Sequence, residues 1–219
     1  NASRVDINGS VGAFTGESCI ESASHYVGEN FSVQANMMLN DKVIPSMKKA
    51  FLENSNLPLA ERIVKVFEAA ESVGGDIRGK QSAALIVVGK EKTENIWQDK
   101  KIDLRVDDSE DPIKEIKRLL KVHRAYEHMN EGDLAIEEND MDKALIEYGK
   151  AQSLFPENIE MSFWKAIALL NNGKKEEAKK IFDIVFEQNP NWKKLIYRLP
   201  KSGIISMTVK ELDFYFKND

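Results

Sequence analysis

Residues able to do chemistry are densest at Gly74-Gly75-Asp76-Ile77-Arg78-Gly79-Lys80-Gln81-Ser82, where Asp76, Arg78, Gln81 and Ser82 sit in a stretch loosened by three glycines. Such a stretch bends tightly or lets a ligand approach the backbone. Its side chains offer a carboxylate, a guanidinium, an amide and a hydroxyl for polar recognition. The same residues also suit a plain helix-to-strand connection whose turn is held by an Asp76–Arg78 pair. Cys19 and His25 share one segment and supply a thiol and a base, although a single Cys with a nearby His is common without catalysis. His123 and His128 are five residues apart and so point to different faces of a helix, unlike an i, i+4 zinc pair. The carboxylates of Asp107-Asp108-Ser109-Glu110-Asp111, just before Pro112, suit the N-terminus of a following helix better than a cation. No metal and no cofactor is expected.

The elements that must position these residues follow from apolar spacing. Ala83–Val88 is apolar at every position and ends before Gly89, which predicts a strand covered on both faces. Two amphipathic helices are expected before it, over 42–54 (Val43, Met47, Ala50, Phe51) and 58–72 (Leu59, Ile63, Val66, Phe67, Ala70). Pro58 suits the first turn of the second helix and Gly74 its C-terminal end. Asn8-Gly9 between the runs 4–7 and 11–15 predicts a tight hairpin. Residues 31–37 alternate like a half-buried strand, and 95–98 and 102–106 are short strand candidates that would extend the sheet.

Composition bounds the function. At 219 residues, with 42% hydrophobic and 31% charged, the chain has the make-up of two soluble domains. A net charge of −5 argues against nucleic acid as a partner, because a binder of phosphates needs a basic surface. No window reaches the roughly 18 apolar residues of a membrane helix, so no membrane partner is expected. A lone cysteine favours a reducing compartment, and the cytoplasm is the expected location.

Beyond Pro112 the pattern is helical, opening with a long helix to about residue 138. Ala144, Tyr148, Ala151 and Pro156 recur as Ala178, Phe182, Val185 and Pro190, all at one constant displacement. Gly132 and Ala166 share that register. The period, about 34 residues, and the pattern resemble the tetratricopeptide (TPR) repeat. Two repeats are expected at 125–158 and 159–192, capped by helices near 192–198 and 208–216. The resemblance implies a groove lined by Tyr126, Met129, Asn130 and Asp133, then Glu160, Phe163, Ile167 and Asn171. That groove either binds a protein or peptide or docks on the chain's own sheet domain.

The first half is similar to a second family. Ala13-Phe14-Thr15-Gly16, then Val27-Gly28-Glu29-Asn30-Phe31-Ser32-Val33-Gln34-Ala35-Asn36-Met37, then Gly74 through Leu85, then Asp103-Leu104-Arg105-Val106-Asp107-Asp108 resemble the DUF 1028 family in order. That family is uncharacterised and regarded as N-terminal-nucleophile (Ntn) hydrolase-like. The resemblance implies an α+β fold: a partial αββα sandwich of antiparallel sheets in 1–111, followed by the all-α TPR domain in 112–219. In an Ntn hydrolase the nucleophile is a Thr, Ser or Cys whose own α-amino group is the base. Asn1 has neither hydroxyl nor thiol, so the chain reads as the C-terminal part of a family member, with opening strands before Arg4. A pocket in such a domain would be lined by His25, Asn36, Asp76, Arg78 and Gln81. The expected function is a protein-interaction module on a domain of unknown activity, the alternative being part of an Ntn-type amide-bond hydrolase. Sheet edges left without neighbours predict a homodimer through the sheet domain.

Overall fold

Alternating apolar residues build the strands of one unit, residues 1–120, and a constant repeat period builds the helices of another, which begins at Lys121. The computed structural model describes residues 1–217. In the first unit β1 (Ala2–Val5) pairs antiparallel with β2 (Val11–Phe14). Their connection is the tight turn expected at Asn8-Gly9: Gly9 takes φ 81 and donates its N–H to Asp6 O at 3.0 Å, and the Asp6 carboxylate accepts the N–H of Asn8 at 2.9 Å and of Ser10 at 2.8 Å. A second antiparallel pair joins β3 (Ser24–Gly28), absent from the sequence reading, to β4 (Phe31–Ala35). Alternation along β4 buries Phe31, Val33 and Ala35.

Helices α1 (Val43–Glu53) and α2 (Leu59–Ser72) come next. Val66 of α2 joins a core with Phe31, Val33, Ala35, Val43 and Ile44. Ala60 and Val64 join another with Leu85, Ile102, Val106, Ile116 and Leu120. Positions 60 and 64 stand one turn apart and 66 faces elsewhere, so a single helix serves both cores.

β5 (Ala83–Val88) pairs antiparallel with β6 (Lys100–Val106), and the register shifts at Val87/Val88. Leu85 is buried, whereas Ile86 and Val88 are 46% and 63% exposed. The expectation of cover on both faces is therefore corrected to one: α2 packs on the Leu85 side, and the described strands pair only as three two-stranded ladders. Residues 96–99 form a helical turn, α3 (Ile96–Asp99), in place of the strand expected at 95–98. The Asp99 carboxylate accepts both the N–H and the hydroxyl of Thr93 at 2.7 Å, which closes this connection on itself.

The acidic segment caps α4 (Pro112–Glu137) as its composition suggests. Asp111 accepts the Lys114 N–H on its carboxylate at 3.3 Å and the Glu115 N–H on its carbonyl at 3.1 Å. Ile116 and Leu120 still belong to the first unit's core, so the division falls inside α4.

The second unit continues with α5 (Met141–Leu154), α6 (Ile159–Asn171) and α7 (Lys175–Gln188). Here the backbone repeats along with the sequence. Asp140 N–H donates to Ala135 O at 2.8 Å, and one period later Lys174 N–H donates to Leu169 O at 2.9 Å. Asn139 and Gly173 take the left-handed conformation at φ 60 and 75, the helix-ending geometry that Gly and Asn tolerate best. Buried Ala144, Tyr148 and Ala151 recur as buried Ala178, Phe182 and Val185. Gly132 marks the close approach, since a Cβ there would lie 2.7 Å from the Tyr148 ring.

The register also runs on past the two expected repeats, through α8 (Asn191–Ile196), α9 (Leu199–Ser202) and α10 (Val209–Lys217). Leu212 and Phe216 stand one period after Ala178 and Phe182 and pack in the same cluster. The segments read as caps are thus a third, altered repeat. Pro200 occupies the place of Ala166, and the first helix of that repeat breaks just ahead of it.

Candidate functional site

The glycine loop is tied to the segment after β4. Met38 and Asp76 form an isolated antiparallel bridge, Leu39 N–H donates to Gly75 O at 2.9 Å, and Ile77 N–H donates to Met37 O at 3.0 Å. Gly74 takes φ +119, the conformation for which glycine is required, and a Cβ there would also push aside the exposed end of the Leu39 side chain, 2.6 Å away. The Asp76 carboxylate accepts the Arg78 backbone N–H at 2.8 Å, its Nε at 3.0 Å and its Nη2 at 2.7 Å. That guanidinium holds the Asp76 carboxyl below its ordinary range, and the carboxylate in turn raises Arg78. Alongside, Lys80 Nζ lies 2.6 Å from Glu71 Oε2, which raises the lysine's pKa.

A cavity of about 490 Å³ opens here, lined by Glu71, Asp76, Arg78, Lys80, Gln81 and Asp108 among others. Each cation in it already faces a carboxylate. The wall therefore suits a neutral hydrogen-bonding group better than a free anion, which would have to displace an internal partner. Ser82 is the hydroxyl of the cavity, and it makes no side-chain hydrogen bond to a base among the described residues. No described neighbour activates it as a nucleophile.

Three of the five expected pocket residues, Asp76, Arg78 and Gln81, meet at this cavity, and His25 and Asn36 lie outside it. His25 Nδ1 is 2.7 Å from Thr15 Oγ1. The Asn36 Oδ1 is buried with no hydrogen-bond partner among the described residues. Cys19 Sγ is 3.3 Å from Asn1 Oδ1, so thiol and imidazole have different partners. His128 Nδ1 sits 2.6 Å from Glu147 Oε2, and His123 Nε2 lies 3.3 Å from Glu127 Oε1. Among the described residues no three His, Cys, Asp or Glu side chains gather to hold a metal ion. The sequence reading misses Glu71 and Lys80, one at the end of α2 and the other in the loop, because no spacing rule encodes that meeting.

In the helical unit Tyr126, Asn130 and Asp133 lie on the exposed side of α4. The Tyr126 hydroxyl donates to Glu160 Oε2 at 2.7 Å and accepts from Asn158 Nδ2 at 3.3 Å. Residues 126 and 160 are equivalent in successive repeats, so this bond links their first helices, and the Glu160 carboxylate raises the Tyr126 phenol. Asp133 accepts the Tyr148 hydroxyl at 2.6 Å. Met129, Phe163 and Ile167, expected on the groove, are buried and belong to the core. Met129 packs among Ala125, Tyr148 and Ala168. The Phe163 ring meets those of Phe182 and Trp192 at 5.9 and 4.7 Å, and Ile167 shares a cluster with Ile205. Asn171 Nδ2 donates to Ile204 O at 2.9 Å. For Phe163 and Ile167 the third repeat is the physical reason, for it turns α6 into an interior helix, whereas Met129 is covered by α5 and α6.

An α+β unit with a polar loop cavity, followed by helix pairs recurring at one constant period, defines a chain made of a sheet-bearing domain and a repeat domain. The comparisons agree with both parts. A tetratricopeptide repeat model matches residues 135–199, and the model of a family of unknown function, DUF1028, matches residues 2–116. The latter spans just over half of the chain, which belongs to the DUF1028 family. No curated protein and no solved structure matches it. Among the described residues no helix is long and apolar enough to cross a membrane.

Proposed function

We propose that the chain is a protein-interaction module, in which the TPR unit holds a peptide or protein segment on the open side of α4 while the DUF1028 unit contributes an activity of its own. The observation that carries this reading is the recurrence of the helix-ending bonds, Ala135–Asp140 and Leu169–Lys174, at the TPR period. Stacked helix pairs build an extended surface for a partner rather than an enclosed catalytic site. A peptide array probed with the full chain tests it. Peptides are expected to bind the wild type and to lose binding to a Tyr126→Ala, Asn130→Ala double variant whose melting is unchanged. An array without binders, or binding indifferent to the double variant, would overturn the reading.

The meeting of Asp76, Arg78 and Gln81 at one cavity favours a second reading, an amide-bond hydrolase of the Ntn type in which these groups orient the substrate. Ser82, the hydroxyl of that cavity, makes no side-chain hydrogen bond to a base among the described residues. The chain by itself is accordingly expected to leave activated amides intact. Turnover that disappears in Cys19→Ala would contradict this and promote the thiol. The unpaired edges of β5 and β6 support one further element of the proposal, association of two copies through the sheet unit.

A further inference from the structure

Acidity is concentrated in one repeat. Residues 125–158 hold nine carboxylates and two lysines, a formal net charge of −7, whereas 159–219 hold eleven cations and eight carboxylates, a net charge of +3. A field of this size at one place attracts partners that the whole-chain charge of −5 does not foretell. Residues 126, 130, 133 and 137 fall at i, i+4, i+7 and i+11 on one side of α4, and all four are exposed. The Tyr126 ring is 38% exposed at one end of this row, next to Glu160, with Asp133 and Glu137 further along. The lysines of the repeat are engaged elsewhere, Lys150 with Glu147 at 2.6 Å and Lys143 near Glu138 at 3.6 Å.

We infer that this face binds a basic segment, a lysine- or arginine-rich stretch of a partner protein, with a cationic group over the Tyr126 ring and others against Glu160, Asp133 and Glu137. The inference rests on the interaction reading above and adds the chemistry of the partner. Asp133 and Glu160 are each aimed by a phenol hydroxyl, from Tyr148 and Tyr126, so little side-chain freedom is lost when a cation arrives. Burial of Phe163 and Ile167 under the third repeat confines the open face to the first. At 1.5 Å rise per residue the row from 126 to 137 spans about 16 Å, the length of about five extended residues. The partner segment is correspondingly short.

Fluorescence anisotropy of the full chain with a labelled lysine–alanine peptide tests the inference, with glutamine–alanine and glutamate–alanine peptides of equal length as comparisons. The lysine peptide is expected to bind, and to bind less tightly as salt rises. Glu137→Lys and Glu160→Lys are each expected to weaken it about tenfold or more, while Glu157→Lys, the same charge change at an exposed loop position off the row, changes affinity less than about threefold. Equal weakening by all three substitutions would reduce the effect to bulk attraction and overturn the site. A chain that binds the glutamine or glutamate peptide in preference to lysine overturns the basic partner and leaves the interaction reading standing. Failure of all three peptides, together with an array that has no binders, removes both.

Discussion

In the sheet-bearing unit the buried side chains fall into two clusters joined by one helix, and Ile7, Phe14, Ile86, Val88, Ile96 and Trp97 remain exposed. In the repeat unit the two clusters share Leu145 and Trp164, and buried aromatic and small side chains succeed one another period by period. The repeat unit covers each helix pair with the next pair along the chain, so its burial needs only near neighbours in sequence. Each strand likewise pairs with the next strand in sequence, but each two-stranded ladder leaves a row of unpaired backbone groups at its edges, so the sheet unit presents surface that another chain can cover.

The contrast is broken most severely by cutting the repeat core. Phe182→Ala removes a fully buried ring that meets Phe163, Phe186 and Phe216, and is expected to cost about 3–5 kcal/mol. Trp164 and Trp192 fluorescence during urea unfolding reads the loss, and a midpoint equal to the wild type's would show that the repeats do not share a core. Next in size, Ala144→Trp and Ala178→Trp overpack helix crossings that are wholly buried, by about 1–3 kcal/mol each. Gly132→Ala belongs with them, because its new methyl meets the Tyr148 ring, whereas Gly149→Ala meets nothing within 4 Å and is expected to stabilise α5 by about 0.5–1 kcal/mol. Thermal melts in which the two glycine variants shift in the same direction would contradict this packing.

Alkaline pH sharpens the same contrast. Burial, aided by the bond to Asp133, pushes the Tyr148 phenol far up, and burial pushes Tyr215 up to about 12. An unfolded tyrosine titrates near pH 10, so above that value the unfolded chain releases protons that the folded chain keeps. The stability of the repeat unit is therefore intact below about pH 10 and falls as pH rises toward 12 and beyond, by at most about 1.4 kcal/mol per pH unit for each phenol. Denaturant titrations across that range are expected to give a flatter slope for Tyr148→Phe; an unchanged slope would mean its phenol titrates freely. The smallest effect on stability belongs to the sheet unit: Ile86→Lys with Val88→Lys is expected to alter melting by only about 0.5 kcal/mol, both side chains being exposed. Light scattering coupled to size exclusion is where that pair shows, as a dimer in the wild type that dissociates in the variant. A strictly monomeric wild type well above micromolar would end the dimer proposal.

Periodic features were the legible ones. The alternation at Phe31, Val33 and Ala35, the stripes of α1 and α2, and the constant spacing at which small, aromatic and Pro residues recur each repeat often enough to name their element. A uniformly apolar run such as Ala83–Val88 contains no information about which face is covered, and there the expectation failed. The third repeat carries the period at Leu212 and Phe216 but replaces the small residues with Leu212 and Pro200, and hiding it also hid the burial of Phe163 and Ile167. At the cavity, Asp76 and Arg78 are two residues apart and their pairing could be read directly, while Glu71 with Lys80 and the separate settings of His25 and Asn36 depend on tertiary folding.

Helix α2 lends Val66 to one core and Ala60 with Val64 to the other, so neither cluster can open without uncovering part of it. Two cores that share a wall make one cooperative unit of local unfolding instead of two. Native-state amide exchange would register this as a common opening free energy for β4 and β5, with the amides of α2 among the last in the unit to exchange.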